Sequence, residues 1–147
     1  LILVGEARDN DTISAVLEAA MTGHPVYTTL HTNGVPETIR RLVGGFAKEE
    51  RAGKTIDIIE TLRIIIWQKL VPTVDGKRTA LREYLVFNEE VRDQLLHVDP
   101  NQVTARTRAC LVSHGQTMLR SAEQRYDDGI ISARMLDLIK AQDRNSD

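Results

Sequence analysis

The chain is 147 residues long, 41% hydrophobic and 27% charged, which is the composition of a folded globular protein and excludes a disordered one. Nineteen basic against 21 acidic side chains leave a net charge of −2, which argues against a strongly cationic nucleic-acid binder. A single cysteine, Cys110, excludes an internal disulfide and a cysteine-rich zinc site, and no apolar run approaches the ~18 residues that span a bilayer.

Residues 1–4 form an uninterrupted apolar run closed by Gly5, which predicts a strand covered on both faces, as in a parallel sheet. The run opens at Leu1 without a Met and without a secretory leader, which predicts a cytoplasmic chain cut from a longer protein. Asp9, Asn10 and Asp11 offer N-cap oxygens to a helix carrying Ile13, Val16, Leu17, Ala20 and Met21, and Gly23 ends it. Residues 26–30 read as a second buried strand, followed by the turn-forming His31-Thr32-Asn33-Gly34 and a helix entered at Pro36, with Ile39, Leu42 and Val43 as its stripe. Strand, helix, strand and helix in that order predict a parallel α/β sheet.

Residues 48–54 read as a charged loop. Thr55 is then expected to cap a long helix carrying Ile56, Ile59, Leu62, Ile66, Trp67 and Leu70. Asp75-Gly76 predicts a hairpin turn between residues 70–74 and 78–87, and in the second arm Ala80, Arg82, Tyr84 and Val86 alternate with Leu81, Glu83, Leu85 and Phe87. Beyond Asn88, residues 89–98, 102–112, 116–127 and 132–141 read as helices punctuated by Pro100, Gly115 and Gly129. This change of texture predicts an α/β unit over residues 1–87 and a helical subdomain over 88–147, with a frayed tail at 144–147.

The chemistry concentrates in two strand ends. In parallel α/β sheets ligands bind beyond the carboxyl ends of the strands. There, Glu6 can orient a water for attack on a γ-phosphate or hold a magnesium shell, and His31, Thr32 and Asn33 can contact a phosphate or its water. The bland alternatives are an exposed acid after a strand and an exposed histidine, and no third ligand stands at metal-site spacing. If the two strands neighbour each other, Glu6 and His31 share one rim.

LILVGEARD followed by TGHPVYTTLHTN resembles the Walker B motif and His box of the type II/IV secretion ATPases, also called traffic ATPases. The similarity continues through Trp67-Gln68-Lys69-Leu70, residues 91–96, residues 115–119 and residues 128–132, so it covers essentially the whole chain. GHPVYTTLHTNGVPETIRRLV and ALREYLVF look nearest the Dot/Icm type IVB secretion and IncI conjugation branch. The resemblance implies the second half of a RecA-like P-loop NTPase core followed by an α-helical C-terminal subdomain. It implies that Glu6 is the catalytic glutamate, touching magnesium only through water, and that Gly5, Arg8, His24, Thr29, His31 and Thr32 lie near the nucleotide, with Asp9 at a further fixed position. ATP and Mg2+ are the implied cofactors. The implied assembly is a homo-hexamer on the cytoplasmic side of the inner membrane, peripheral to it and working with secretion, conjugation or pilus machinery, without direct nucleic-acid contact.

Gly53-Lys54-Thr55 imitates the end of a phosphate-binding loop, but Lys48 stands where its first glycine belongs and the tripeptide follows the Walker B run instead of preceding it. The phosphate loop is therefore expected upstream of Leu1, and residues 1–147 alone are expected not to hydrolyse ATP. Arg106, Arg108, Arg120 and Arg125 read as a solvated face, Cys110 as a small buried hydrophobe and Trp67 as core. The alternative is a non-enzymatic assembly module whose helical half docks a partner.

Overall fold

The computed structural model describes residues 1–144. Chain order is β1 (Ile2–Val4), α1 (Asn10–Met21), β2 (Val26–Thr28), α2 (Val35–Gly44), α3 (Arg51–Thr61), β3 (Ile64–Pro72), β4 (Arg78–Val86), α4 (Glu89–Leu96), α5 (Val103–His114), α6 (Met118–Asp127) and α7 (Ala133–Arg144). A 3-10 turn at Pro100–Gln102 leads into α5. The tail expected at 144–147 falls, from residue 145 onward, outside the described residues.

The opening β–α–β unit forms as its sequence dictates. β1 and β2 pair in parallel, with Ile2 opposite Val26, Leu3 opposite Tyr27 and Val4 opposite Thr28. Asp9 caps the crossover helix by accepting the Thr12 N–H at 2.8 Å, and that bond holds the Asp9 carboxyl below its ordinary range. Ile13 and Leu17 bury the inner stripe of α1. The helix stops where Gly23 takes a left-handed φ of 89°: its N–H donates to Ala20 and the next, that of His24, to Ala19, the paired closure of a Schellman ending. Cover on both faces of the strands does not come from the described residues, because Leu1, Leu3 and Tyr27 are exposed.

The long helix expected from Thr55 to Leu70 is two elements. α3 already begins at Arg51, so Thr55 lies inside it, buried, with its hydroxyl donating to the Arg51 carbonyl. The helix ends at Thr61, and residues 64–72 form a strand paired antiparallel with β4 from Ile64–Val86 to Pro72–Arg78. The spacing of Ile59, Leu62 and Ile66 suits a helix, but three successive isoleucines are stiff at χ1 and favour a pleated strand. Alternation then decides which side is buried: Ile65 and Val71 face inward, whereas Ile64, Ile66 and Leu70 face outward. Trp67 accordingly belongs to a strand rather than a helical stripe, half-buried against the cluster around Val71 and Leu81.

Three apolar clusters hold these elements. One joins Val35 and Ile39 of α2, Ile59 of α3, Ile65 and Leu85 of the hairpin, and Val91, Leu95, Val103 and Cys110 beyond it. A second places Val71 and Leu81 against α6 and α7. The third seats Ala7 and α1 on Phe46 and Ile58, directly beneath the ends of β1 and β2.

Candidate functional site

The rim is built by carrying the parallel pair past its regular hydrogen bonds. Ala7 donates its N–H to the Thr29 carbonyl at 3.0 Å, and the Thr29 hydroxyl donates to the Gly5 carbonyl at 2.5 Å. These bonds lock the two strand ends together, and buried Ala7 anchors them on the apolar cluster below. Glu6 and His31 are therefore delivered to one edge. The Glu6 carboxylate lies 3.2 Å through Oε1 from His31 Nε2, and Oε2 accepts from Arg8 Nε at 2.6 Å.

Exposure divides the trio by task. The Glu6 side chain retains only 23% of its accessible surface, whereas those of His31 and Arg8 are 88% and 79% exposed. A half-hidden carboxylate on a fixed strand end keeps its direction, while the exposed imidazole can answer to whatever occupies the rim. The Arg8 backbone is held as well, its carbonyl accepting from Arg41 of α2 at 3.0 Å.

The loop that carries His31 is tied to α2. The Thr38 hydroxyl donates to the Gly34 carbonyl at 2.8 Å, so the 2.7 Å contact between the Thr32 and Thr38 hydroxyls has Thr32 as donor. Thr32 is thus turned toward the helix instead of the Glu6 carboxylate. A side chain at Gly34 would displace its neighbours: a Cβ there would stand 2.5 Å from Glu37 Oε2 and 3.3 Å from Glu83 Oε1.

The structure brings Gly5, Glu6, Arg8, Thr29 and His31 together. His24 lies apart from them, since it precedes β2 whereas His31 follows it, and its Nδ1 is 3.2 Å from the Thr22 hydroxyl at the end of α1. Gly53, Lys54 and Thr55 lie within α3, so they form no phosphate-binding loop, and the Lys54 ammonium sits 5.3 Å from the Phe46 ring centre.

One residue of the surroundings escaped sequence reading. Glu83 of β4 is buried, and its two oxygens accept from the N–H of Val35 at 2.8 Å and of Met118 at 3.3 Å, the first residues of α2 and α6. Burial pushes its carboxyl above the ordinary range; the two N–H bonds and nearby Arg108 oppose that shift, and Glu37 adds to it. The available signal was an acid on the otherwise apolar face formed by Leu81, Leu85 and Phe87.

The donor set on the rim is too small to hold a metal ion by itself. Glu6 supplies a hard carboxylate oxygen and His31 an imidazole, but no group of three or more His, Cys, Asp or Glu side chains able to hold a metal occurs among the described residues. Glu6 could therefore hold magnesium only with water or phosphate oxygens completing the shell.

The family profile described as "Type II/IV secretion system protein" matches residues 1–126. A twitching motility protein of Neisseria gonorrhoeae is 37% identical over 133 residues, covering 90% of this chain and 36% of that protein. The X-ray structure of the Legionella pneumophila ATPase DotB matches with a TM-score of 0.94 at 63% identity, covering 96% of this chain and 38% of that one. A crystal structure of the pilus retraction motor PilT with bound ADP matches with a TM-score of 0.77 at 32% identity, covering 92% and 38%. The chain thus spans little more than a third of these relatives, and its fold is the α/β, RecA-like fold of their ATPase domains.

Proposed function

The chain belongs to the type II/IV secretion system protein family, and from that premise we propose that it is the Walker B and His-box part of an ATP-hydrolysing motor for secretion, conjugation or pilus-type assembly. The observation that carries this reading is the 3.2 Å approach of Glu6 and His31 at the ends of adjacent parallel strands. An acid and an imidazole that converge beyond strand carboxyl ends are placed for a phosphate and its attacking water.

In this reading Glu6 accepts a hydrogen bond from the water and draws off its proton as the water oxygen bonds to the γ-phosphorus and the bond from that phosphorus to the bridging oxygen breaks, releasing ADP and phosphate. His31 faces the transferred phosphoryl group, and loss of that group changes what the imidazole can contact. Arg8 holds the second Glu6 oxygen, leaving the first for the water or His31. Gly5 and Thr29 keep the strand ends in register. Magnesium, when bound, neutralises charge between the phosphates. The phosphate cradle comes from other parts of the full-length protein, so the isolated 147 residues do not turn over ATP. The motor is a homo-hexamer at the cytoplasmic face of the inner membrane, in contact with membrane-embedded machinery. The chain itself contains no helix long and apolar enough to cross a membrane among its described residues.

The test is Glu6→Gln in the full-length protein. The amide keeps the shape and loses the base, so kcat falls by about 10²–10⁴-fold, the range a positioned general base supplies, while ATP binding persists. Turnover equal to wild type would leave the assembly-module reading standing instead.

A further inference from the structure

Glu83 is a buried carboxylate whose two oxygens each serve a different helix. Oε1 accepts from Val35 at 2.8 Å and Oε2 from Met118 at 3.3 Å, and both N–H groups open their helices. First-turn N–H groups have no partner within the helix and carry its positive end, so a carboxylate suits them. At α2 the usual source of such a partner is missing, because Gly34, the residue before the helix, has no side chain. The acceptor arrives from β4, 48 residues away in sequence.

That placement matters because of what precedes Val35. The chain runs from His31 through Thr32 and Asn33 to Gly34 and into α2, so the start of α2 fixes one end of the loop that presents the imidazole. The other end is fixed by the strand pairing at Thr29. Glu37, in the same first turn, is paired with Arg108 of α5 at 2.8 Å, so α5 and β4 grip the turn from two sides. Near Gly34 the fit is close enough that a Cβ would meet Glu83 Oε1 at 3.3 Å.

We infer that Glu83 is a positioning residue for His31: by bridging the first N–H groups of α2 and α6 it holds the His31-bearing loop in register with Glu6. The inference rests on the reading of Glu6 and His31 given above. Glu83 does not reach the reacting atoms; it acts through the Val35 N–H.

The experiment compares full-length wild type, E6Q, E83Q and L81A in steady-state ATP hydrolysis, at a temperature where melting curves show each folded. E83Q is near-isosteric and replaces one acceptor oxygen with an NH2 group that cannot accept, so the two helix starts can no longer both be bridged. Leu81 is a fully buried neighbour on β4 that packs toward α6 and α7 rather than the loop, so L81A reports loss of stability alone. The expected result is a fall in kcat of about tenfold in E83Q with KM for ATP unchanged, as misplacing a group that acts in the transition state does, and unchanged kcat in L81A. If E83Q melts below the assay temperature, E83D, which keeps both acceptors on a shorter arm, is assayed in its place against the same expectation. A kcat at wild-type level in the Glu83 variant, or an equal loss in L81A, overturns the inference while an inactive E6Q leaves the reading of Glu6 intact. An E6Q that hydrolyses at the wild-type rate overturns that reading and this inference with it.

Discussion

At the scale of single residues, two buried or half-buried carboxylates answer the cost of desolvation differently. Glu6 meets it with exposed partners, Arg8 and His31, on the rim. Pairs of this exposure contribute about 0–1 kcal/mol, so Arg8→Ala should leave the urea unfolding midpoint nearly unchanged and show itself in hydrolysis instead. Glu83 meets the cost with backbone N–H groups inside the fold, and burial still raises its pKa. A raised folded value means that its protonated form is favoured by folding. Its contribution is complete below the unfolded value near 4.5 and is lost as pH rises through the folded value. Urea midpoints of wild type should therefore fall relative to E83Q as pH rises from 4 toward neutrality, on the order of a few pH units being enough to see it. A constant difference would contradict the assignment. Asp9 carries the opposite sign: its lowered value makes the α1 cap a contribution that is lost as pH falls below 3.8.

At the scale of elements, caps and alternation explain both what could be read and what could not. Asn88 accepts the Val91 N–H at 2.9 Å and starts α4, so Asn88→Ala should cost about 1 kcal/mol in urea unfolding. Leu85, fully buried opposite Ile65, should cost about 2–5 kcal/mol on truncation to alanine. Strand ends bearing Glu6 and His31 were legible because the β–α–β rhythm leaves one way to place them. β3 was not, because Ile56, Ile59, Leu62 and Ile66 satisfy a helical period right across the α3–β3 junction. Only the β-branched run at 64–66 betrayed the strand. Glu83 was visible as an odd acid on an apolar face, but its partners stand 48 and 35 residues away, and no local pattern encodes such a pairing.

At the scale of the whole molecule, the rim is held by more than its own strands. Val35 and Ile39 share a cluster with Val91, Leu95 and Cys110, so side chains from both sides of Asn88 support the helix that follows His31. The parallel pair, by contrast, leaves Leu3 and Tyr27 at 79% and 61% exposure. An uncovered apolar face invites association between chains. Sedimentation of residues 1–147 alone should show self-association that Leu3→Lys reduces, and a monodisperse monomer would contradict this.

In the proposed mechanism Glu6 and His31 face one γ-phosphate. The most direct measurement of this is the structure of the full-length protein with magnesium and a non-hydrolysable ATP analogue. An ordered water is expected between the Glu6 carboxylate and the γ-phosphorus, with His31 on the same phosphate. An analogue whose γ-phosphate lies away from the ends of β1 and β2 would contradict it.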